Sequence, residues 1–277
     1  MSLAKIPLAG VIGSPIAHSK SPQIHGHWLK TLGLQGAYIP LHVEPEDLRQ
    51  VLEAMPKMGF IGANVTIPHK EAVIEIADII TDRAAMIGAV NTITFRADGK
   101  IQGDNTDGYG FIENLKAGAP DWVPGDGPAC VFGAGGAARA VISSLLDAGV
   151  PEILLANRTR VRAERLRSVF GNRVTVYDWS QAGTMVSHAG LVVNTTSLGM
   201  IGKSELRAPL DGLRADTVVT DLVYAPLKTT LLATAEAAGC VTVDGLGMLL
   251  HQAVPGFERW FGARPTVDHE TRLAALR

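Results

Sequence analysis

Cys130-Val131-Phe132-Gly133-Ala134-Gly135-Gly136-Ala137-Ala138 is the stretch on which the reading of this chain turns. Three strand-forming residues run into G-x-G-x-x-A, and an amphipathic segment follows. The first glycine permits a tight turn, the second lets backbone approach a pyrophosphate, and the small Ala138 lets helix and sheet pack closely. The start of the following helix offers unpaired N–H groups and the positive end of its dipole to phosphates. Gly133, Ala134, Gly135, Gly136 and Ala137 are therefore candidate dinucleotide contacts.

The next strand sharpens the choice of nucleotide. Ile153-Leu154-Leu155-Ala156 ends at Asn157-Arg158-Thr159, with Arg160 and Arg162 close behind. Proteins that bind NAD usually place Asp or Glu here, to accept from the ribose 2′-hydroxyl. A carboxylate would repel a 2′-phosphate, whereas arginines attract it with bidentate geometry. Cations at a helix start also oppose the helix dipole unless an anion arrives. Asn157, Arg158, Thr159 and Arg162 thus point to NADP.

Outward from this motif, short apolar runs alternate with amphipathic segments, which predicts an α/β fold with a mostly parallel sheet. Expected strands are Leu8 to Ile12, Gly62 to Ile67, Ala89 to Phe95, Leu191 to Asn194, Val218 to Val223 and Cys240 to Val243. Expected helices follow Ser21 as N-cap, with Pro22 in the first turn, and cover Glu46 to Met55, His69 to Ile79 and Phe111 to Lys116. The composition turns to Gly, Asp and Asn at Gly103 to Gly110, so the boundary between two domains is set near Asp107. The helical tail from Leu246 could close the second domain or cross back to the first. The 277 residues carry 25 basic and 27 acidic side chains, a net charge of -2. That balance argues against nucleic-acid or membrane-surface partners. The N-terminal MSLAKIPLAGVIG does not read as a signal peptide, and no apolar run is long enough to span a bilayer. Cys130 and Cys240 read as small buried hydrophobes in a reducing, cytoplasmic compartment.

Two segments outside the nucleotide motif carry polar residues where a plain core would not. Ser19 and Ser21 flank a helix start and can both donate to one carboxylate. In Asn64-Val65-Thr66-Ile67-Pro68-His69-Lys70, strand alternation puts Asn64 and Thr66 on one face. Lys70 follows, and Asp107 is a candidate partner for it. Reducing a ketone with a hydride builds negative charge on the carbonyl oxygen. An ammonium stabilises that charge and can supply the proton, and a carboxylate orients the lysine or bonds a substrate hydroxyl. His18, His25 and His27 lack a completing set of cysteines or carboxylates, so no metal is expected. Trp260 and Phe261 read as packing residues, and His69 and His251 as locally bonded ones.

Taken in order, these pieces resemble the shikimate dehydrogenase family. They are Ser19-Lys20-Ser21-Pro22, Asn64 to Lys70, Gly88-Ala89-Val90-Asn91-Thr92, Gly103 to Gly108, Gly133 to Ala137, Asn157-Arg158-Thr159, Asn194 to Met200, Asp221 to Tyr224 and Gly247 to Ala253. The resemblance implies two domains. Residues 1–106 with 246–277 would form the substrate-binding domain, the C-terminal helices crossing back to it, and residues 107–245 a Rossmann domain. It implies NADPH-dependent reduction of 3-dehydroshikimate to shikimate in the chorismate route to aromatic amino acids, with Lys70 and Asp107 as the catalytic pair. Ser19, Ser21, Asn64, Thr66, Asn91, Tyr224 and Gln252 would hold the substrate. Thr196, Ser197, Leu222, Gly245 and Met248 would join the glycine loop and the arginines around NADP. Readings kept beside this one are a quinate/shikimate dehydrogenase with relaxed substrate or cofactor choice, a relative acting on an amino analogue, and a non-catalytic sensor. Monomer and homodimer both stay open.

Overall fold

The computed structural model describes residues 6–277. Met1 to Lys5, part of the stretch examined above for a leader, lie outside the described residues. The chain divides into two compact units: the chain up to Thr106 with Leu250–Arg277, and Asp107–Leu249.

The first unit holds a six-stranded sheet of β1 (Leu8–Gly13), β2 (Ala37–His42), β3 (Phe60–Val65), β4 (Ile79–Ile80), β5 (Thr92–Phe95) and β6 (Ile101–Asp104). Its order is β2-β1-β3-β5-β6-β4. β1 is parallel to both β2 and β3, but β5 runs antiparallel to β3 and β6. The sheet is therefore mixed. The reversal is made by a tight turn at Asp98-Gly99, where Gly99 has φ +84 and Arg96 N–H donates to the Lys100 carbonyl at 2.9 Å. Ile12, Leu52, Met55, Ala63, Val73 and Ile93 pack one buried cluster in this unit.

Several local expectations give way here to tertiary pairing. The segment expected to be a helix from His69 to Ile79 has one 3₁₀ turn, Ala72–Glu75, and then β4. Its polar groups pair elsewhere: the His69 ring bonds the Val43 carbonyl at 2.7 Å, and the Asp78 carboxylate and amide both bond Ile101. β3 stops at Val65 and not Ile67. β5 begins at Thr92, because Val90 N–H turns to the Lys70 carbonyl and Asn91 N–H to the Asp104 carbonyl. In α1 (Ser21–Thr31) Ser21 is the first helical residue and Lys20 the N-cap, and the side-chain oxygen near this start comes from Ser19, which accepts Ser21 N–H at 3.3 Å. The expected helix from Glu46 to Met55 contains α2 (Leu48–Ala54), flanked by 3₁₀ turns. α3 (Asp82–Ile87) was not foreseen.

The second unit is regular. α4 (Asp107–Gly118) leads into β7 (Ala129–Phe132), α5 (Gly136–Ala148), β8 (Ile153–Ala156), α6 (Arg160–Phe170), β9 (Val174–Tyr177), α7 (Ala182–His188) and β10 (Leu191–Asn194). β11 (Val218–Asp221), α8 (Thr230–Ala237), β12 (Val241–Val243) and the start of α9 (Leu246–Phe261) follow, and α10 (His269–Leu276) belongs to the first unit. All six strands are parallel, in the order β12-β11-β10-β7-β8-β9. Counted within the unit this is 3-2-1-4-5-6, the doubly wound order, with its switch point between β7 and β10. The sheet is covered on both sides. Val131, Leu155 and Val193 pack with α4, α5 and α6; Cys130, Phe132, Leu154 and Val192 pack with α7 and α8. Both cysteines are free and buried, as their apolar settings suggest. No helix among the described residues is long and apolar enough to cross a membrane.

Candidate active site

In the second unit the loops after β7 and β10 meet at the switch point. Gly133 sits there at φ +110, and a Cβ on it would lie 2.6 Å from Thr195 Oγ1 and 2.9 Å from Thr196 Cγ2. Only glycine fits. Gly135 is the N-cap of α5, has no side-chain cap, and with Gly136 faces open space. No acidic residue occupies the first turn of α5. The N–H groups of that turn, free of side-chain caps and of nearby carboxylates, make an anion cradle.

At the end of β8, Asn157 donates to the Thr159 carbonyl at 2.8 Å, which closes the turn into α6. Thr159 caps α6 without a side-chain bond. Arg160 is engaged by Asp178 at 2.6 Å and Glu164 at 3.0 Å. Arg158 and Arg162 are exposed, and among the described residues neither side chain has a hydrogen bond or ion pair. Two unpaired guanidiniums beside an open helix start, with no carboxylate at the strand end, fit a 2′-phosphorylated dinucleotide.

The loop from Asn194 to Gly199 is tied down by a residue that carried no assigned role in the sequence reading. Asp221, buried at the end of β11, accepts from Asn194 Nδ2 at 2.9 Å, from Val223 N–H at 3.0 Å and from Thr229 Oγ1 at 2.8 Å. Asn194 Oδ1 in turn takes both the N–H and the hydroxyl of Thr196. Burial pushes the Asp221 carboxyl up despite these donors. Its sequence signal is an acidic residue inside the apolar run Val218 to Val223. Ser197 and Tyr224 are exposed, and Leu222 and Met248 half-buried. A Cβ on Gly245 would meet the Leu222 carbonyl oxygen at 2.3 Å, so these two backbones touch.

In the first unit, Asn64, Asn91 and Gln252 gather with Thr92 and Thr106 in a buried polar cluster at the ends of β3, β5 and β6. Asn91 Oδ1 accepts Thr106 N–H at 2.9 Å. That donor cannot accept, so Nδ2 of Asn91 faces Gln252 Oε1 at 3.2 Å. Thr106 Oγ1 also donates to the Gln252 carbonyl at 2.8 Å. Asn64 donates to the Asn91 carbonyl at 3.1 Å and to Thr92 Oγ1 at 3.3 Å, and accepts from the Tyr38 hydroxyl at 2.6 Å. Lys70 is half-buried, and its carbonyl accepts Val90 N–H at 2.7 Å, next to Asn91. Ser21 is buried, while Ser19 and Thr66 are half-buried. Asp107, half-buried, is the first residue of α4.

Two further features were not read from the sequence. Tyr38, on β2, joins the cluster through Asn64 and stacks on His25. Asp104 is buried at the end of β6 and is bound by Arg83, by Thr81 at 2.8 Å and by Arg259 at 2.5 Å. Burial alone would raise its pKa, but these partners outweigh it and hold the carboxyl well below the usual range. Arg83 on α3 and Arg259 on α9 are thereby fastened to the strand that leads to Asn105 and Thr106. Trp260 is a packing residue, with its indole N–H on the Ile93 carbonyl at 3.0 Å.

Comparison with known proteins agrees with these arrangements. Residues 11–93 match the shikimate dehydrogenase substrate binding domain, residues 125–222 the shikimate / quinate 5-dehydrogenase family, and residues 245–269 the shikimate 5'-dehydrogenase C-terminal domain. A shikimate dehydrogenase (NADP(+)) of Roseobacter denitrificans is 67% identical over 276 residues, covering 100% of both chains. Among solved structures, a Thermus thermophilus shikimate 5-dehydrogenase in complex with NADP(H) and shikimate is 38% identical over 97% of this chain and 98% of that one, with a TM-score of 0.85. A Corynebacterium glutamicum quinate dehydrogenase in complex with NAD is 32% identical over 97% and 98% of the two chains, with a TM-score of 0.89. With an α/β substrate-binding domain, a parallel Rossmann-type sheet and relatives of this identity along its whole length, the chain belongs to the shikimate dehydrogenase family.

Proposed function

We propose that this protein catalyses the reversible NADPH-dependent reduction of 3-dehydroshikimate to shikimate, in the cytoplasm, for aromatic amino acid biosynthesis. The unit made of residues 1–106 and 246–277 would hold the substrate, and residues 107–245 the dinucleotide. The observation that carries the cofactor choice is the unpaired Arg158 and Arg162 at a helix start that has no carboxylate before it. The same observation separates this reading from an NAD-linked quinate dehydrogenase, with which the chain shares its fold.

The glycine loop Gly133 to Ala137 would bind the pyrophosphate through backbone N–H groups. Asn157, Arg158, Thr159 and Arg162 would surround the 2′-phosphate. Thr196, Ser197, Leu222, Gly245 and Met248 complete the proposed cofactor contacts. When bound, the nicotinamide supplies or takes back the hydride. The chain's own task is the proton and the charge. Ketone reduction consumes one hydride at carbon and one proton at oxygen. Lys70, as ammonium, would stabilise the developing alkoxide and deliver that proton, and Asp107 would orient the lysine or hold a substrate hydroxyl. Ser19 and Ser21 would hold the substrate carboxylate, Asn64, Thr66, Asn91 and Gln252 the ring hydroxyls, and Tyr224 would reach the substrate from the nucleotide domain.

Initial rates with shikimate and quinate, each with NADP and NAD, test the reading. Turnover confined to shikimate with NADP is the expected result. Comparable rates with quinate or NAD would move the protein to the broader-specificity relatives, and no turnover with any pair would point to an analogue substrate or a non-catalytic sensor.

A further inference from the structure

Asn64 is held from three sides, and the way it is held fixes what it can do. Its carboxamide faces the Asn91 carbonyl at 3.1 Å, the Thr92 hydroxyl at 3.3 Å and the Tyr38 hydroxyl at 2.6 Å. A backbone carbonyl only accepts, so the atom facing Asn91 is Nδ2. Oδ1 therefore faces Tyr38, and the phenol is the donor. Nδ2 has two N–H groups, and both are taken, one by Asn91 O and one by Thr92 Oγ1. Thr92 sends its own O–H to Asn91 Oδ1 at 2.9 Å, which leaves its oxygen to accept from Asn64. Oδ1 has two lone pairs, and Tyr38 occupies one. The capacity that remains on Asn64 is one acceptor position.

Tyr38 is itself fixed. It is 7% exposed, and its ring lies parallel on the fully buried His25 ring, with centroids 3.8 Å apart and planes 4° apart. Burial keeps that phenol protonated far above neutral pH. A neutral, clamped O–H is thus always present to hold Asn64 Oδ1.

We infer that Tyr38 is a positioning residue that locks the Asn64 carboxamide, so that Asn64 reads a substrate hydroxyl solely as a hydrogen-bond donor. The inference rests on the proposed contact between Asn64 and the substrate. Without the phenol O–H, Oδ1 loses the donor that fixes its direction, and the carboxamide, still held through Nδ2 by Asn91 and Thr92, aims its remaining acceptor position less sharply. The wild-type site rejects a group that only accepts, and a site without the phenol gains less from a donating hydroxyl, so it discriminates less between the two.

Two measurements test this. Tyr38→Phe keeps the ring and its stack on His25 and removes only the O–H. It should raise KM for shikimate by about tenfold, while KM for NADP and the thermal midpoint stay close to wild type. In a cycle with Asn64→Ala the two effects should not add, since one residue acts through the other. The second measurement uses wild-type enzyme and shikimate analogues in which each non-reacting ring hydroxyl in turn is replaced by fluorine, an acceptor without a proton. One of them should bind at least tenfold more weakly than shikimate, and Tyr38→Phe should narrow that gap. An unchanged shikimate KM in Tyr38→Phe, or fluorinated analogues that both bind wild type as shikimate does, would overturn the inference while leaving the enzymatic reading intact. Absence of shikimate turnover in wild type would instead remove the reading on which the inference stands.

Discussion

The two units of this molecule are equipped for polar ligands by opposite means. The nucleotide unit presents backbone and exposed charge: a glycine loop, an uncapped helix start, and two guanidiniums with no partner among the described residues. The substrate unit presents buried carboxamides and hydroxyls whose hydrogen bonds are committed to one another. A long, highly charged ligand is matched by unpaired guanidiniums, whose charge and forked donors suit a phosphate. The ring hydroxyls of a small substrate offer neutral donors and acceptors, so their reader must be fixed in advance and desolvated, where an unmatched group is costly.

The sharpest way to break this contrast is to ask where the chemistry resides. If the substrate unit carries the proton-transfer group, Lys70→Ala should lower kcat by about 10²- to 10⁴-fold, with a much smaller change in KM. Steady-state kinetics at saturating NADP and shikimate measure this directly. A variant that keeps its kcat and loses only affinity would make Lys70 a binding residue.

A smaller effect sharpens the other side. Arg158→Ala should raise KM for NADP by about ten- to a hundredfold and barely change KM for NAD, because the lost contact is to the 2′-phosphate alone. Arg160→Ala makes the useful contrast. Arg160 is already engaged by Asp178 and Glu164, so its removal should leave the NADP-to-NAD preference nearly unchanged. Equal losses with both cofactors in Arg158→Ala would mean that this side chain serves the turn and not the phosphate.

The same contrast governs what the sequence makes legible. In the nucleotide unit the central strands β7, β8 and β10 are buried on both faces, so each is written as a nearly unbroken apolar run, and the turn at Gly133 is a local demand of the backbone. In the substrate unit the elements depend on distant partners. The segment after Pro68 has helical periodicity, yet His69 bonds the Val43 carbonyl, Val73 is drawn into the buried core, Asp78 pairs with Ile101 on β6, and the helix does not form. One local signal is present: Asp98-Gly99, after the β-branched run Thr92 to Phe95, is a hairpin turn, and it makes the sheet mixed. The residues proposed to bind the substrate are recognisable as motifs, but not their mutual bonds. Asn91 and Gln252 are 161 positions apart, and nothing near either residue indicates which amide atom faces the other.

The mildest prediction concerns the stability of the substrate unit's buried aromatic cluster. His25 is fully buried against Tyr38, Trp28, Phe257 and Trp260, and neither ring nitrogen has a hydrogen-bond partner. Burial lowers its pKa from 6.5 to about 3. Above pH 6.5 the ring is neutral in both folded and unfolded chains and adds no pH dependence. Between pH 6.5 and 3 the unfolded chain takes up a proton that the folded chain refuses, so stability falls as the solution is acidified. At pH 5 the loss amounts to about 2 kcal/mol from this one group, a drop of several degrees in melting temperature. Thermal melts of wild type and His25→Phe from pH 8 to pH 5 isolate it. The variant should lose less stability over this range than wild type, whatever its stability at pH 8. Parallel curves for the two proteins would show that His25 is hydrated or partnered in solution.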